Sequence, residues 1–108
     1  MKLILSPIRT GAVLEAQVRG DMLELNGETL DFGTLPKGSV LTREAVGCDW
    51  IAGDVSRAED GRLTVPLLLP HGAEAPPETL FPQPIDAEDG PVPLPPYAIG
   101  ITGVAEDR

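Results

Sequence analysis

Residues 12–33 read AVLEAQVRGDMLELNGETLDFG and predict three antiparallel strands in one continuous meander. Asn26-Gly27 is a preferred pair for a type I′ turn, and Gly20-Asp21 suits a type II′ turn with glycine first. The two turns fix two registers independently. Together the two registers place seven apolar residues on one face: Leu14, Ala16, Val18, Leu23, Leu25, Leu30 and Phe32. Because a slip of one residue would mix this set with the polar residues between them, the agreement supports the pairing.

Length and composition indicate the fold class of the whole chain. The chain has 108 residues, enough for one domain with a modest core. Its 12 glycines and 12 prolines leave little room for helix. The predicted fold is therefore all-β: a small antiparallel meander or sandwich-like sheet body, residues 1–69, followed by a Pro-rich extended arm. This acidic arm, residues 70–108, is expected to pack on the body or on a partner within a single domain.

Two further segments of the body predict strands. Residues 2–6, KLILS, form a first strand that Pro7 should limit, and this strand either pairs with an edge of the meander or covers its apolar face. Residues 49–57 and 62–69 predict a hairpin joined by a four-residue turn ending in glycine.

The register of this hairpin is less determined than that of the meander. One option puts Trp50 and Ala52 on the face of Leu67 and Leu69. Both faces of the hairpin then carry apolar residues, which suits packing against the meander on one side and against the arm or a partner chain on the other. Pro66 cannot donate to a ladder, so its strand is expected at an edge or with that position turned outward.

The arm allows two interpretations. Nine of the 27 residues from Pro70 to Pro96 are proline, which favours extended backbone. The arm is either solvated and disordered, or it docks apolar side chains at intervals; we favour docking, because apolar residues recur too often for a flexible linker. The candidate interaction residues are Trp50, Leu80, Phe81, Ile85, Leu94 and Tyr97. Residues 98–105 could add one more strand or exchange onto a neighbour.

Charge is unevenly distributed. The net charge is −9, and residues 63–108 hold seven acids against one base, Arg108. Such a chain is repelled by nucleic acid and by anionic membranes, so neither is expected as a partner. The segment before Ser6-Pro7 is too short for the apolar region of a signal peptide, so none is expected.

Reactive residues are few. His71 is the only histidine and lies in a predicted turn, and Cys48 is the only cysteine and is predicted to be a small buried side chain. The acidic run from Asp86 to Gly90 lacks the ligand spacing of a calcium loop and is expected to be a solvated turn. We therefore predict no enzyme activity, no catalytic residues, no cofactor and no metal site.

Several segments carry a resemblance to a known group of proteins: MKLILSPIR, LNGETLDFGTLPKG, REAVGCDWIAGDV, VPLLLPHG and APPETLFPQP. In this order they resemble small uncharacterised proteins encoded in prophage and phage tail modules of proteobacteria, over residues 1–96. The resemblance implies a non-enzymatic structural or assembly role beside tail-fibre or tail-tip proteins, in the host cytoplasm during assembly and, for a virion component, in the tail.

Two functional hypotheses follow from these observations. The first is an interaction module whose partners are phage tail proteins, with a homo-oligomer expected because the second hairpin is apolar on both faces. The alternative is a small β domain that binds a carbohydrate or another small ligand around Trp50 and the acidic turns.

Overall fold

Two β-sheets form the part of the protein that the computed structural model describes, residues 1–97. Along the chain the elements are β1 Lys2–Arg9, β2 Ala16–Arg19, β3 Met22–Leu25, β4 Glu28–Asp31, β5 Val40–Leu41, α1 Arg43–Val46, β6 Val55–Arg57, β7 Leu63–His71, α2 Pro77–Leu80, β8 Ile85–Asp86 and β9 Gly90–Pro91. One sheet has the order β5-β6-β7-β1-β8 and the other β4-β3-β2-β9. All pairs are antiparallel except β1 with β7. The protein is thus mostly β, as predicted, with two sheets rich in antiparallel pairs.

The meander is confirmed residue by residue. Ala16 lies opposite Leu25 in β3, and Leu23 lies opposite Leu30 in β4. Asn26 and Gly27 both have positive φ, 50° and 88°, as a type I′ turn requires. The seven residues assigned to one face are all buried, none more than 8% exposed.

Strand β1 is longer than predicted. It runs through Pro7 to Arg9 and pairs in parallel with β7, not with the meander. The amide of Thr10 donates to the carbonyl of His71 in β7 at 3.2 Å. N–H groups alternate in direction along a strand, and Pro7 lies three residues before Thr10, so the nitrogen of Pro7 points away from β7. On the side of β1 away from β7, the neighbouring strand β8 ends opposite Leu3. Within residues 1–97, the missing N–H of Pro7 therefore costs the sheet no hydrogen bond. The prediction that Pro7 limits the first strand is therefore wrong.

The second hairpin forms, but in a different register from the option considered. β6 pairs with β7 through Ser56 opposite Thr64, while Ile51 lies opposite Leu67 and both are fully buried. Trp50 and Ala52 thus belong to the other face, because side chains alternate. The residues between Ala52 and Val55 leave the ladder, and no turn pattern predicted this bulge.

Of the two placements expected for Pro66, the edge strand is wrong, whereas the outward position is found: Pro66 lies between the buried residues Val65 and Leu67 and is not itself buried. β7 lies between β6 and β1, inside the five-stranded sheet. The carbonyl of Pro66 accepts from the amide of Ala52 at 2.9 Å. Because N and C=O of one residue point to the same side of a strand, its missing N–H faces this bulged segment and not β1.

Both sheets contribute to one hydrophobic cluster. Its members are Leu3, Leu5, Leu14, Ala16, Val18, Leu23, Leu25, Leu30, Phe32, Cys48, Ile51, Val55, Leu63, Val65, Leu67, Leu69, Ala87 and Val92. The residues after Leu69 take part: β8 pairs with β1, and β9 pairs with β2. The division at residue 69 stays a prediction, and the strand or exchange suggested for residues 98–105 lies outside the described residues.

Candidate interaction surfaces

Hydrogen bonds tie the end of the described chain to the body. The Tyr97 hydroxyl donates to the carbonyl of Thr10, and the amide of Gly72 donates to the carbonyl of Tyr97 at 2.9 Å. Tyr97 is thereby held from two sides, next to the end of β1. Its side chain is half-buried and is not free to insert into a partner.

The acidic run before β9 is part of the same attachment. The carboxylate of Asp89 accepts from the amide of Gly20 at 2.9 Å, and the amide of Val92 donates to the carbonyl of Ala16 at 2.9 Å. The exposed carboxylate of Asp89 thus supports the β2–β3 turn, a role that the solvated-turn prediction did not include.

Helix α2 presents two apolar side chains outward. It begins with Pro77, a residue favoured at the first helical position, and ends at Leu80, with Phe81 as the C-cap residue before Pro82. Thr79 is fully buried and its hydroxyl donates to the carbonyl of Pro96, which fixes the inward side of this single turn. Leu80 is consequently 40% exposed and Phe81 78% exposed.

Phe81 stands at a groove of about 330 Å³, the Phe81 groove. It is lined by Glu78, Phe81, Gln83, Pro84, Ile85, Pro93, Leu94, Pro95 and Pro96. Four of these nine residues are prolines, so the walls have little backbone freedom to lose on binding. Glu78 is the one charged residue in the lining.

A second groove shares residues 93–95 with the Phe81 groove. It has a volume of about 450 Å³ and runs between residues 13–17, residues 69–70 and the segment 91–97. Tyr97 lines this groove, and Leu94 lines both.

Trp50 belongs to neither groove. Its indole lines a separate pocket of about 170 Å³ together with Ile8, Thr10, Asp49 and Leu68. Trp50 is half-buried and also packs against the hydrophobic cluster.

The structure therefore distributes the candidate interaction residues over three places. Phe81, Ile85 and Leu94 share one groove, with Leu80 next to Phe81 in sequence. Tyr97 lies in the second groove and Trp50 in the pocket on the five-stranded sheet.

Arg57 is the structurally prominent polar residue that the sequence analysis missed. Its guanidinium donates to the carbonyls of Leu35 at 2.7 Å, Gly61 at 2.8 Å and Phe32 at 2.9 Å, and contacts the carboxylate of Asp21 at 3.1 Å. The side chain is only 11% exposed. It joins the β6–β7 turn to the end of the meander. The local sequence contains no pattern that predicts such a bridge.

Cys48 is buried, as predicted, and belongs to the hydrophobic cluster. Burial raises the pKa of its thiol, and the nearby carboxylate of Glu28 acts in the same direction. The thiol is thus protonated at neutral pH, which makes it a poor nucleophile.

The sequence predicts His71 in a turn, and this prediction is wrong. His71 is the last residue of β7. Its Nδ1 lies 2.8 Å from the carbonyl oxygen of Gly72. The strand continues this far because Arg9, at the end of β1, lies opposite His71. Across residues 1–97 there is no group of three or more His, Cys, Asp or Glu side chains that could hold a metal ion.

Comparison with known proteins gives no relative: no protein-family model, curated protein or solved structure matches the chain. In the part of the chain that the structure describes, no helix is long and apolar enough to cross a membrane.

Proposed function

We propose that the protein is a non-enzymatic interaction module of a bacteriophage tail, a structural or assembly component that contacts tail-fibre or tail-tip proteins. The observation that carries the interaction role is the exposure of Phe81, 78%, beside a proline-walled groove. The assignment to a tail is supported by the sequence resemblance of residues 1–96. The protein would act in the host cytoplasm during tail assembly.

The energetics favour Phe81 as an anchor. Burying a phenylalanine side chain stabilises a complex by about 1.5–3 kcal/mol. Aromatic side chains in well-packed, dehydrated positions dominate many interfaces. The Phe81 groove, about 330 Å³, lies at the low end of the range for ligand pockets, ~300–1,000 Å³, and suits one or two side chains of a protein partner.

Charge favours a basic partner at this groove. The segment 72–97 carries five acids, Glu74, Glu78, Asp86, Glu88 and Asp89, and no lysine or arginine. A partner segment with an apolar side chain flanked by basic residues would be attracted to it, and added salt would slow its association.

The test is capture of tail proteins by the purified full chain. The wild-type chain should retain a fibre or tip protein from a phage lysate, and Phe81→Asp should reduce the retained amount at least tenfold. Val40→Asp is the matched control, since Val40 is 59% exposed in β5 and does not line the Phe81 groove. Equal retention by wild type and Phe81→Asp, or no retained tail protein, would contradict the proposal.

Deletion of the gene separates the two roles within the proposal. If particles purified from the wild type lack the protein and fibres fail to form without it, the protein is an assembly factor. If the protein is present in purified particles, it is a virion component.

The Trp50 pocket favours a second candidate, the binding of a carbohydrate or another small ligand. The pocket brings the indole together with Ile8 and Leu68, and Asp49 and Thr10 are the polar residues in its lining, which suits a ligand with an apolar face. Because Trp50 is the only tryptophan, its emission reports binding directly. A saturable change on titration with a panel of sugars, lost in Asp49→Ala, would support this candidate.

We also infer a sandwich-like body, since the buried faces of both sheets share one hydrophobic cluster, with residues 70–108 acting as an arm. A homo-oligomer remains a prediction of this proposal.

A further inference from the structure

The two sheets differ in the chemistry of their outward faces. The outward face of the four-stranded sheet is mostly polar: beside Met22 it carries Glu15, Gln17, Arg19, Glu24, Thr29 and Asp31. The outward face of the five-stranded sheet has an apolar end, here called the outer apolar face, formed by Ile4, Ile8, Trp50, Ala52, Pro66 and Leu68. None of these six residues is buried, and Ile8 is 39% exposed. The first face has the composition expected next to water, and the second does not.

Strand geometry brings these residues to one side of the sheet, with Ser6 between Ile4 and Ile8 on β1 and opposite Leu68 on β7. Leu3, Leu5, Val65 and Leu67 are buried, so the residues between them in β1 and β7 point outward. Ile4 lies opposite Pro66, and the amide of Ala52 donates to the carbonyl of Pro66. At the far end Ile8, Trp50 and Leu68 surround the pocket of about 170 Å³.

We propose that the outer apolar face is the interface of a homodimer, on which a second copy of the chain packs its own outer apolar face. This inference rests on the proposed role as an interaction module and names one of its partners. A two-fold axis brings the same patch together from both copies, so a face with both a protruding side chain, Ile8, and an adjacent pocket can be self-complementary.

Charge selects a second copy over an oppositely charged partner at this face. Ionisable side chains of both signs lie on or beside the face, Lys2, Arg43 and Arg62 with Asp49, Asp54 and Asp86, so the charges balance. Arg62 and Asp86 also form an ion pair with each other. In a chain of net charge −9, this face lets two copies meet without opposing acids.

Charge also disfavours dimerisation through the edge of the four-stranded sheet. β4 is the outermost strand of the four-stranded sheet. β4 carries an acidic residue at each end, Glu28 and Asp31, so pairing with a copy would bring four acids to one short seam. Charged edge strands commonly block such pairing.

The size of the face sets the expected strength. β1 and β7 share eight paired residues, about 26 Å at ~3.3 Å per residue, and five strands ~4.8 Å apart span about 24 Å. The whole outward face of the sheet is thus a plane of about 600 Å² per copy, and the outer apolar face is one end of it, so the dimer buries less than ~1,200 Å² and belongs with weak, transient interfaces. We expect a dimer that dissociates in the micromolar range.

The experiment is sedimentation velocity of the full chain over a range of concentrations from low to high micromolar, together with Trp50 emission. Dimerisation should raise the sedimentation coefficient and shift the emission to shorter wavelength, because the partner covers the indole. Ile8→Asp should weaken the dimer at least tenfold, since it places a charge in the interface. Val13→Asp is the matched control: Val13 is 61% exposed and precedes β2, away from this face.

The outcomes separate clearly. A wild-type chain that stays monomeric over the whole range overturns the inference, and so does a dimer that neither Ile8→Asp nor Leu68→Asp weakens. Circular dichroism checks folding; if Leu68→Asp does not fold, the more exposed Ile8→Asp decides alone. Capture of tail proteins by a strictly monomeric chain would leave the proposed function standing, whereas a dimer that captures no tail protein would remove the proposed function only.

Discussion

Arg57 and Asp21 join the two sheets through an ion pair of 3.1 Å that connects β6 to the β2–β3 turn. The pair is unequal, because the side chain of Arg57 is 11% exposed and that of Asp21 is 49% exposed. The carboxylate can therefore return to water if the pair is broken. The three carbonyl groups bound by the guanidinium lose their donor if Arg57 is replaced.

Replacing Arg57 should thus cost far more than replacing Asp21. Arg57→Met leaves the carbonyls of Phe32, Leu35 and Gly61 without this donor, and we expect a loss of about 2–4 kcal/mol in the free energy of unfolding. Asp21→Asn should cost about 0–1 kcal/mol, as for other solvent-exposed pairs. Urea unfolding followed by Trp50 emission measures both. Equal losses would show that the ion pair, and not the carbonyl contacts, provides the stabilisation.

The centre of the meander should not tolerate a charge. Leu23 is fully buried between Val18 and Leu30, so Leu23→Asp buries a carboxylate without a partner and should unfold the domain, a loss above ~4 kcal/mol. Arg19→Asp places the same carboxylate at an exposed position of β2, opposite Met22, and should change stability far less. A thermal melt of Leu23→Asp like that of the wild type would contradict the placement of Leu23.

Gly72 is required by the close approach of Tyr97. A Cβ at position 72 would lie 2.8 Å from the Cε1 atom of the ring, so Gly72→Ala must displace Tyr97 from Thr10. We expect a loss of about 1–3 kcal/mol, as for other overpacked sites. Gly11→Ala is the control, because nothing lies within 4 Å of its added Cβ. Both free energies come from urea unfolding, and similar values for the two variants would argue against this contact.

The raised pKa of the Cys48 thiol predicts a stability change at alkaline pH. The ordinary value is 9.0, and the folded state holds the proton to higher pH than the unfolded state does. The stability contribution is therefore fully present below the unfolded pKa and is lost as the pH rises through the folded pKa. Unfolding free energies of wild type and Cys48→Ala should draw closer above pH 9.0. A difference that stays constant with pH would refute this assignment.

Ending the chain after Leu69 should uncover apolar surface. The cut removes the last two residues of β7 together with β8 and β9, the strands that pair with β1 and β2. The shortened chain should aggregate or melt without cooperativity, as measured by light scattering and calorimetry. A soluble fragment with a cooperative melt would show that the residues beyond Leu69 are dispensable for the fold.

The candidate surfaces could be predicted in part. The sequence indicated that Phe81, Ile85 and Leu94 were apolar residues in a proline-rich segment, but not that they share a groove. These residues share a groove because the chain turns back between α2 and the segment after β9. The outer apolar face was partly foreseen in the observation that the second hairpin is apolar on both faces. Its members were misassigned because the bulge after Ala52 sets the register, and a bulge has no strong local pattern.

The sequence by itself determined the meander, its two turns and the side that each residue faces. These depend on the φ preferences of Asn26, Gly27 and Gly20 and on the alternation of side chains, which act over a few residues. Only the tertiary structure decided that β1 pairs in parallel with β7 and that Arg57 bridges the two sheets. Lys2 and Thr64 meet across a long stretch of chain, and which distant strands pair depends on how all the apolar faces are buried together, not on any single segment.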